Sequence, residues 1–154
     1  MGREIYCQLR KDGQTWENPA WDSASAAELF VCGRDDATNF VAMHAGEDCE
    51  ICLSDPEEMR VVVRELRSYA KKDTDEIDRA KGYLRELKAA RRNARNLEEF
   101  ESFNPEIERS EECIQEESWS RAKSVIDMIN TALSVKKAHP FKYAKTKLYL
   151  VVSE

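Results

Sequence analysis

The sequence predicts an α+β fold, in which a small antiparallel β-sheet carries a long antiparallel helical hairpin. Short segments of alternating polarity occupy the first 55 residues, and two long apolar repeats flank an Asn-Pro pair near residue 104. Charged residues make up 35 % of the 154-residue chain. A charged fraction well above the usual quarter is typical of long helices with solvated outer faces.

The first 55 residues are expected to form a β-rich module. Residues 3–10 alternate apolar and polar side chains and end at an Asp-Gly turn signal. Residues 38–44 are rich in strand-forming side chains, and residues 49–54 alternate again. Because alternation with a period of two is typical of strands that bury one face, the sequence predicts a meander of about three strands.

A helix is expected to begin at Pro56. Asp55 can cap it, proline suits the first helical position, and the two glutamates that follow favour the positive end of the helix dipole. A second start signal lies at residues 73–76, where an aspartate precedes a glutamate by three positions. We therefore expect a helix over 56–72 that packs on the sheet and ends at a break.

A helical hairpin is expected to follow, with arms over 74–103 and 105–137. A mostly apolar seam, with positions three and four residues apart as in packed helices, runs along both arms. Its apolar members include Ile77, Ala80, Leu84 and Leu87 in the first arm and Ile107, Ile114, Ala122, Val125, Ile129 and Ala132 in the second. The Asn-Pro pair at Asn104 supplies the turn and a new helix start. A turn there places the arginines of residues 91–95 opposite the glutamates of residues 112–117.

The helical region is expected to cover 56–138 and to end at His139 and Pro140. Residues 147–153 are rich in β-forming side chains. Because the second arm returns the chain to the base of the hairpin, we expect the segment 139–154 to rejoin the N-terminal sheet as a strand.

Charge is unevenly distributed along the chain, whose net charge is −6. Residues 96–117 carry nine Glu and one Arg, whereas residues 118–154 carry seven Lys or Arg and two acids. A charged N-terminus and short apolar runs predict neither a signal peptide nor a membrane span. Five cysteines without framework spacing predict reduced thiols and a cytoplasmic location.

An acidic tip on the hairpin is the first candidate binding surface. Its carboxylates crowd around the predicted turn, and they are Glu98, Glu99, Glu101, Glu106, Glu108 and Glu111. Such a cluster could dock into a basic partner surface or imitate a phosphate backbone. The structural alternative is a solvated helix end, where acidic residues favour the N-terminus.

A basic segment after the hairpin is the second candidate. Lys142, Lys145 and Lys147 are interleaved with aromatic residues, among them Tyr143, and this pattern can hold a nucleotide-like anion. Binding of single-stranded nucleic acid is a weaker hypothesis because the chain as a whole is acidic. The structural alternative is an ordinary surface strand.

A zinc site is the third hypothesis, with Cys32, His44, Cys49 and Cys52 as ligands. Thiolates and imidazole suit zinc, and the spacing of Cys49 and Cys52 matches half of a site. A strand would turn these two side chains to opposite faces, so buried structural thiols are the favoured interpretation. No catalytic motif occurs and a His44–cysteine pair alone gives little support for catalysis, so we expect no enzyme and no cofactor.

Two function classes follow from these surfaces. The leading class is a non-catalytic protein that binds a macromolecular protein partner, such as the small acidic inhibitors or regulators that phages and mobile elements use in counter-defence. It would dock through the acidic tip or through Trp16 and Trp21, since tryptophan is favoured at interface centres. The rival class binds or sequesters a nucleotide-like anion between the sheet and the hairpin base. Polar interruptions in the coiled-coil seams also predict a homodimer.

Overall fold

The fold is α+β, as the sequence predicts, and the described residues form a five-stranded antiparallel sheet together with several helices. The computed structural model describes residues 3–17, 31–33, 35–117 and 120–153. The strands are β1 (Arg3–Lys11), β2 (Gln14–Glu17), β3 (Val31–Gly33), β4 (Glu50–Cys52) and β5 (Lys147–Ser153). Their order across the sheet is β2-β1-β5-β4, and β3 pairs with the first residues of β1.

The described helices are distributed between two compact units. The helices are α1 (Asp36–Ala45), α2 (Pro56–Arg92), α3 (Leu97–Ser102), α4 (Asn104–Glu117) and α5 (Arg121–Ala138), with a short 3-10 helix at Gly46–Asp48. The sheet unit contains residues up to 70 and from 121 onward, and the hairpin unit contains residues 71–120. Among the described helices, none has the length and apolar character that crossing a bilayer requires.

The C-terminal strand rejoins the sheet, as predicted. β5 lies between β1 and β4 and pairs antiparallel with both, so that Leu150 is opposite Cys7 of β1 and Ile51 of β4. Alternate side chains of β1 and β5 are buried, and these are Ile5, Cys7, Leu9, Leu148, Leu150 and Val152. This period of two is the pattern from which both strands were predicted.

The buried face of the sheet packs against helices of the sheet unit. Val41 of α1, Val62 and Leu66 of α2, and Val125 and Ile129 of α5 share one buried cluster with the strand residues. Each of the five is at most 2 % exposed. Burying a side chain of this kind contributes about 1.5–3 kcal/mol relative to leaving it in water, so this cluster is the main core.

The strand predicted over 38–44 is wrong, because the segment belongs to helix α1. Thr38 Oγ1 donates a hydrogen bond to the Asp35 carboxylate at 2.7 Å, which fixes the first turn. The apolar residues buried along α1 recur every four positions and are Ala37, Val41 and Ala45. Positions four apart share one helical face, and packing of that face overrides the β-propensity of the segment.

The helix start at Pro56 is confirmed, but α2 continues to Arg92 without the predicted break near residue 72. Asp55 Oδ1 accepts a hydrogen bond from the Glu57 amide at 3.0 Å, which is the expected cap. Asp73 lies inside the helix, where its carboxylate accepts a hydrogen bond from Ser120 Oγ at 2.7 Å. A capping sequence permits a helix start without forcing one, since tertiary packing supplies most helical stability.

A helical hairpin is present, as predicted, in the hairpin unit. Arg91 of α2 donates a hydrogen bond to Asn104 Oδ1 at 2.9 Å, and Lys88 pairs with Glu111 of α4 at 3.4 Å. These pairs advance in opposite directions along the two helices, so the helices are antiparallel. Two side chains of the predicted seams, Leu87 and Ile107, are buried here.

The turn of the hairpin differs from the prediction. α2 ends at Arg92 and α3 is a separate short helix, so the expected arm over 74–103 is not continuous. Arg91 therefore contacts Asn104, the first residue of α4, whereas the prediction placed it opposite residue 117, whose side chain is outside the described set. The cause is a new helix start at Asn96, whose Oδ1 accepts the Glu99 amide at 2.8 Å.

The second arm, predicted over 105–137, is divided between α4 and α5. α4 belongs to the hairpin unit, whereas α5 belongs to the sheet unit. The seam residues that α5 buries in the sheet core are Ala122, Val125, Ile129 and Ala132. The predicted spacing of buried residues is therefore correct, but the spacing alone does not indicate which part of the protein the apolar face of the helix packs against.

Candidate functional site

The outer face of the sheet carries a polar network centred on Arg10. Its guanidinium pairs with Glu50 at 2.6 Å, donates to Gln8 Oε1 at 2.7 Å and lies 4.1 Å from the ring centroid of Tyr149. Gln8 in turn donates to Glu17 Oε1 at 2.9 Å. The network links β1, β2, β4 and β5, and it fixes the orientation of Arg10.

Tyr6 lies on the same outer face, two residues before Gln8. Burial raises the pKa of its hydroxyl, the carboxylates of Glu17 and Glu4 raise it further, and Arg10 opposes them. The phenol therefore remains protonated near neutral pH. It can act there as a neutral hydrogen-bonding group but not as a general base.

A cavity of about 570 Å³ lies where the β1–β2 turn meets the start of β5. Four of its lining side chains are cationic, and these are Arg10, Lys11, Lys145 and Lys147. Asp12 supplies one carboxylate and Tyr149 an aromatic surface. The volume is within the range of about 300–1,000 Å³ that small-molecule sites occupy. We call this the cationic cavity.

The turn that leads into β5 is held in place by Thr146. The buried Oγ1 of Thr146 donates to the carbonyl of Tyr143 at 2.6 Å, and its own carbonyl accepts from Lys136 Nζ at 2.6 Å. The preceding residue, Lys145, has a φ of 60°, in the left-handed region that few residues other than glycine adopt. The hydrogen bonds of Thr146 thereby fix the position of the adjacent Lys145, which lines the cavity.

Two of the four predicted anion-binding residues, Lys145 and Lys147, line the cavity. Lys142 does not, and its Nζ lies 5.3 Å from the ring centroid of Tyr143. Tyr143 is a core residue that is 2 % exposed. Sequence reasoning missed Arg10 and Lys11, and the signal that could have found Arg10 is its place on the outward positions of β1.

The tryptophans predicted as an aromatic anchor are only partly described. Trp16 is half-buried and packs edge-on against Tyr143, with ring centroids 5.4 Å apart. Trp21 lies outside the described residues. Trp16 therefore contributes to the core of the sheet unit.

The predicted acidic residues lie in α3 and α4. Glu99 accepts a backbone amide at 3.2 Å, Glu111 pairs with a lysine at 3.4 Å, and Glu106 accepts a hydrogen bond from the Tyr83 hydroxyl. The last bond raises the pKa of Tyr83. The other three carboxylates belong to exposed residues, namely Glu98, Glu101 and Glu108. Half of the acidic set thus takes part in contacts within the hairpin unit.

Helix α3 exposes apolar side chains among these carboxylates. None of its residues is buried, Leu97 is 70 % exposed and Phe100 is 40 % exposed. Its N-terminus is capped, and the guanidinium of Arg91 lies 5.2 Å from the ring centroid of Phe100. We call Leu97, Phe100, Glu98 and Glu101 the α3 surface.

The predicted zinc ligands do not converge in the part of the chain that the structure describes. No three of its His, Cys, Asp and Glu side chains are grouped to hold a metal ion. His44 Nε2 instead lies 2.9 Å from the Glu58 carboxylate. Cys49 is exposed, with a φ of 56°, just before β4, which contains Cys52. The side chain of Cys32 is outside the described set.

No protein-family model, no curated protein and no solved structure matches the chain. Any assignment of function therefore rests on the chemistry of the two sites. The cationic cavity belongs to the sheet unit, and the α3 surface belongs to the hairpin unit.

Proposed function

We propose that this protein is a non-catalytic binding protein that docks a basic protein partner on the α3 surface. The observation that carries the proposal is the exposure of Leu97 and Phe100 in a helix that buries none of its residues. A six-residue helix is too short to be stable alone. Its cap and its contact with Arg91 hold it in place, so the apolar pair is displayed without contributing to a core.

The arrangement of side chains on α3 indicates the chemistry of the partner. Leu97, Phe100 and Glu101 share one face, because residues three and four apart are neighbours on a helix. Burying Leu97 and Phe100 against a partner would contribute up to about 1.5–3 kcal/mol each. Glu98 and Glu101 border this pair and favour a partner surface that carries Lys or Arg beside aliphatic side chains.

Long-range electrostatics support the same partner. Residues 96–117 carry nine Glu and one Arg, so this part of the hairpin attracts a basic surface over roughly one Debye length, about 8 Å at physiological salt. By covering a basic functional surface, the protein would act as an inhibitor or regulator. We place this activity in the cytoplasm, where the free thiols stay reduced.

Site-specific photo-crosslinking tests the proposal. A photoreactive amino acid replaces Leu97 in one version of the chain and the exposed Asp75 of α2 in a control version. Irradiation in lysate of the source cell is followed by identification of the crosslinked peptide. The proposal expects a basic segment of one protein, crosslinked from position 97 but not from position 75. If position 97 crosslinks only to a second copy of this chain, the α3 surface is a dimer interface and the proposal fails.

Titration with the purified partner then tests the charges. Reversal of Glu98 and Glu101 to Lys should weaken binding by at least roughly tenfold, because like charges would face each other across the interface. Reversal of Asp75 and Asp78 to Lys makes the same change in net charge at exposed positions of α2, and it should leave affinity almost unchanged. Equal losses from both pairs would show nonspecific attraction and refute the role of the α3 surface.

A further inference from the structure

We propose a second site that does not depend on the α3 surface, in which the cationic cavity binds a small polyphosphate anion of the nucleotide class. Its lining carries four cationic side chains against one carboxylate. A ligand with several negative charges is the chemical match for this excess of positive charge.

The register of the sheet places two of these cations against each other. Arg10 of β1 is directly opposite Lys147 of β5, and both side chains leave the sheet on its outer face. Like charges directly opposite each other destabilise a sheet. Glu50 balances Arg10, whereas neither Lys145 nor Lys147 has an ion-pair partner among the described residues. An anion bound between them would remove this repulsion.

The cavity wall is already held in a defined arrangement. Arg10 is oriented by Glu50, Gln8 and the ring of Tyr149. The left-handed backbone of Lys145 is followed by Thr146, whose side chain and carbonyl are both hydrogen-bonded. A wall ordered before binding loses little conformational entropy when a ligand arrives, which favours affinity.

Size and charge favour a small ligand over a nucleic acid. A cavity of about 570 Å³ fits a single small molecule. The aromatic surface of Tyr149 suits a ligand that joins a phosphate chain to an organic ring. The net charge of −6 opposes a long polyanion, whose affinity depends on contacts with many phosphates.

Isothermal titration calorimetry at physiological salt tests the site with defined probes. The probes are adenosine triphosphate, inorganic tripolyphosphate, adenosine and a single-stranded oligonucleotide. One variant combines Lys145→Asn with Lys147→Gln, since asparagine tolerates the left-handed backbone. The matched control combines Lys137→Gln with Lys142→Gln, which removes the same two charges at exposed lysines that do not line the cavity. Circular dichroism confirms that each variant is folded.

We expect one adenosine triphosphate to bind per native chain, tripolyphosphate to bind no more tightly, and adenosine to bind far more weakly. The variant at Lys145 and Lys147 should lose roughly tenfold or more in affinity through its missing charge-assisted contacts, and the control at Lys137 and Lys142 should bind like the native chain. The proposed site would be refuted if neither adenosine triphosphate nor tripolyphosphate showed saturable binding. It would also be refuted if the control variant lost as much affinity as the variant at Lys145 and Lys147. Tighter binding of the oligonucleotide would reassign the surface to nucleic acid, and binding of tripolyphosphate alone would exclude a nucleotide.

Discussion

Alanine at two glycines should change stability in opposite directions. A Cβ added to Gly33 of β3 would lie 2.4 Å from Nε and 2.5 Å from Cδ of Arg121. Real Cβ atoms do not approach other atoms so closely, so either the arginine must turn away or β3 must move from β1. Because these atoms belong to the flexible end of a side chain, a change of rotamer relieves most of the clash at a cost of about 0.5–1.5 kcal/mol, and we expect Gly33→Ala to lower the free energy of unfolding by that amount.

Gly82 provides the matched control within α2. A Cβ at this position meets a single side-chain atom, in Arg85, at an ordinary contact distance of 3.8 Å. Alanine is favoured over glycine inside a helix by about 0.8–1.0 kcal/mol. Gly82→Ala should therefore raise the free energy of unfolding by up to about 1 kcal/mol, although it adds the same methyl group.

Urea denaturation followed by circular dichroism measures both effects. The free energies of unfolding of the two variants should differ by roughly 1.3–2.5 kcal/mol, the sum of the two contributions. In a background with Arg121→Ala, the substitution Gly33→Ala should lose most of its cost, because residues in contact are not additive. A Gly33→Ala chain as stable as the native one, or a cost that survives removal of Arg121, would refute the reasoning.

Three further predictions concern the core, a helix cap and a buried thiol. Leu150→Ala should cost about 2–5 kcal/mol by urea denaturation, because the side chain is fully buried, and a cost below that of a surface substitution would contradict its place in the core. Asp55→Ala should lower stability by about 0.5–2 kcal/mol in the same assay through loss of the α2 cap, while Asp55→Asn should retain most of it. Burial raises the pKa of Cys7 from 9.0 to about 12. The Cys7 thiol therefore loses its proton at a lower pH in the unfolded chain than in the folded one, and the free energy of unfolding falls as pH rises above 9. The stability difference between the native chain and Cys7→Ala should shrink across that window by up to about 1.4 kcal/mol per pH unit, and a constant difference would argue against a buried thiol.

The sequence predicts those elements whose signal is local. β1 and β5 have a period of two because each buries one face, and Pro56 follows a capping aspartate at the observed helix start. The spacing of apolar residues likewise predicts the helical hairpin, and Leu87 and Ile107 are buried at the predicted seam positions. In each case the physical cause of the structure lies within a few residues of the chain.

Features that depend on distant partners are not visible in the sequence. The sequence around Asp73 resembles a helix start, but Asp73 lies inside the continuous helix α2, and its carboxylate accepts a hydrogen bond from Ser120. α5 repeats the seam of α4 and nevertheless packs on the sheet. The cationic cavity joins Arg10 and Lys147, which the sequence separates by most of the chain and the register of two strands brings together. Only the pairing of β1 with β5 makes these two residues neighbours.

That pairing also constrains how the protein can be made in a cell. β5 is the described strand farthest along the chain, yet its place is in the middle of the sheet, between β1 and β4. At a translation rate of about 5–20 residues per second, β1 leaves the ribosome on the order of ten seconds before its inner neighbour exists. During that interval β1 and β4 present unpaired edges, which are templates for aggregation. A transcript truncated before residue 147 would thus yield one fragment of β1, β2 and β3 and an unpaired β4, rather than a shorter version of the same sheet.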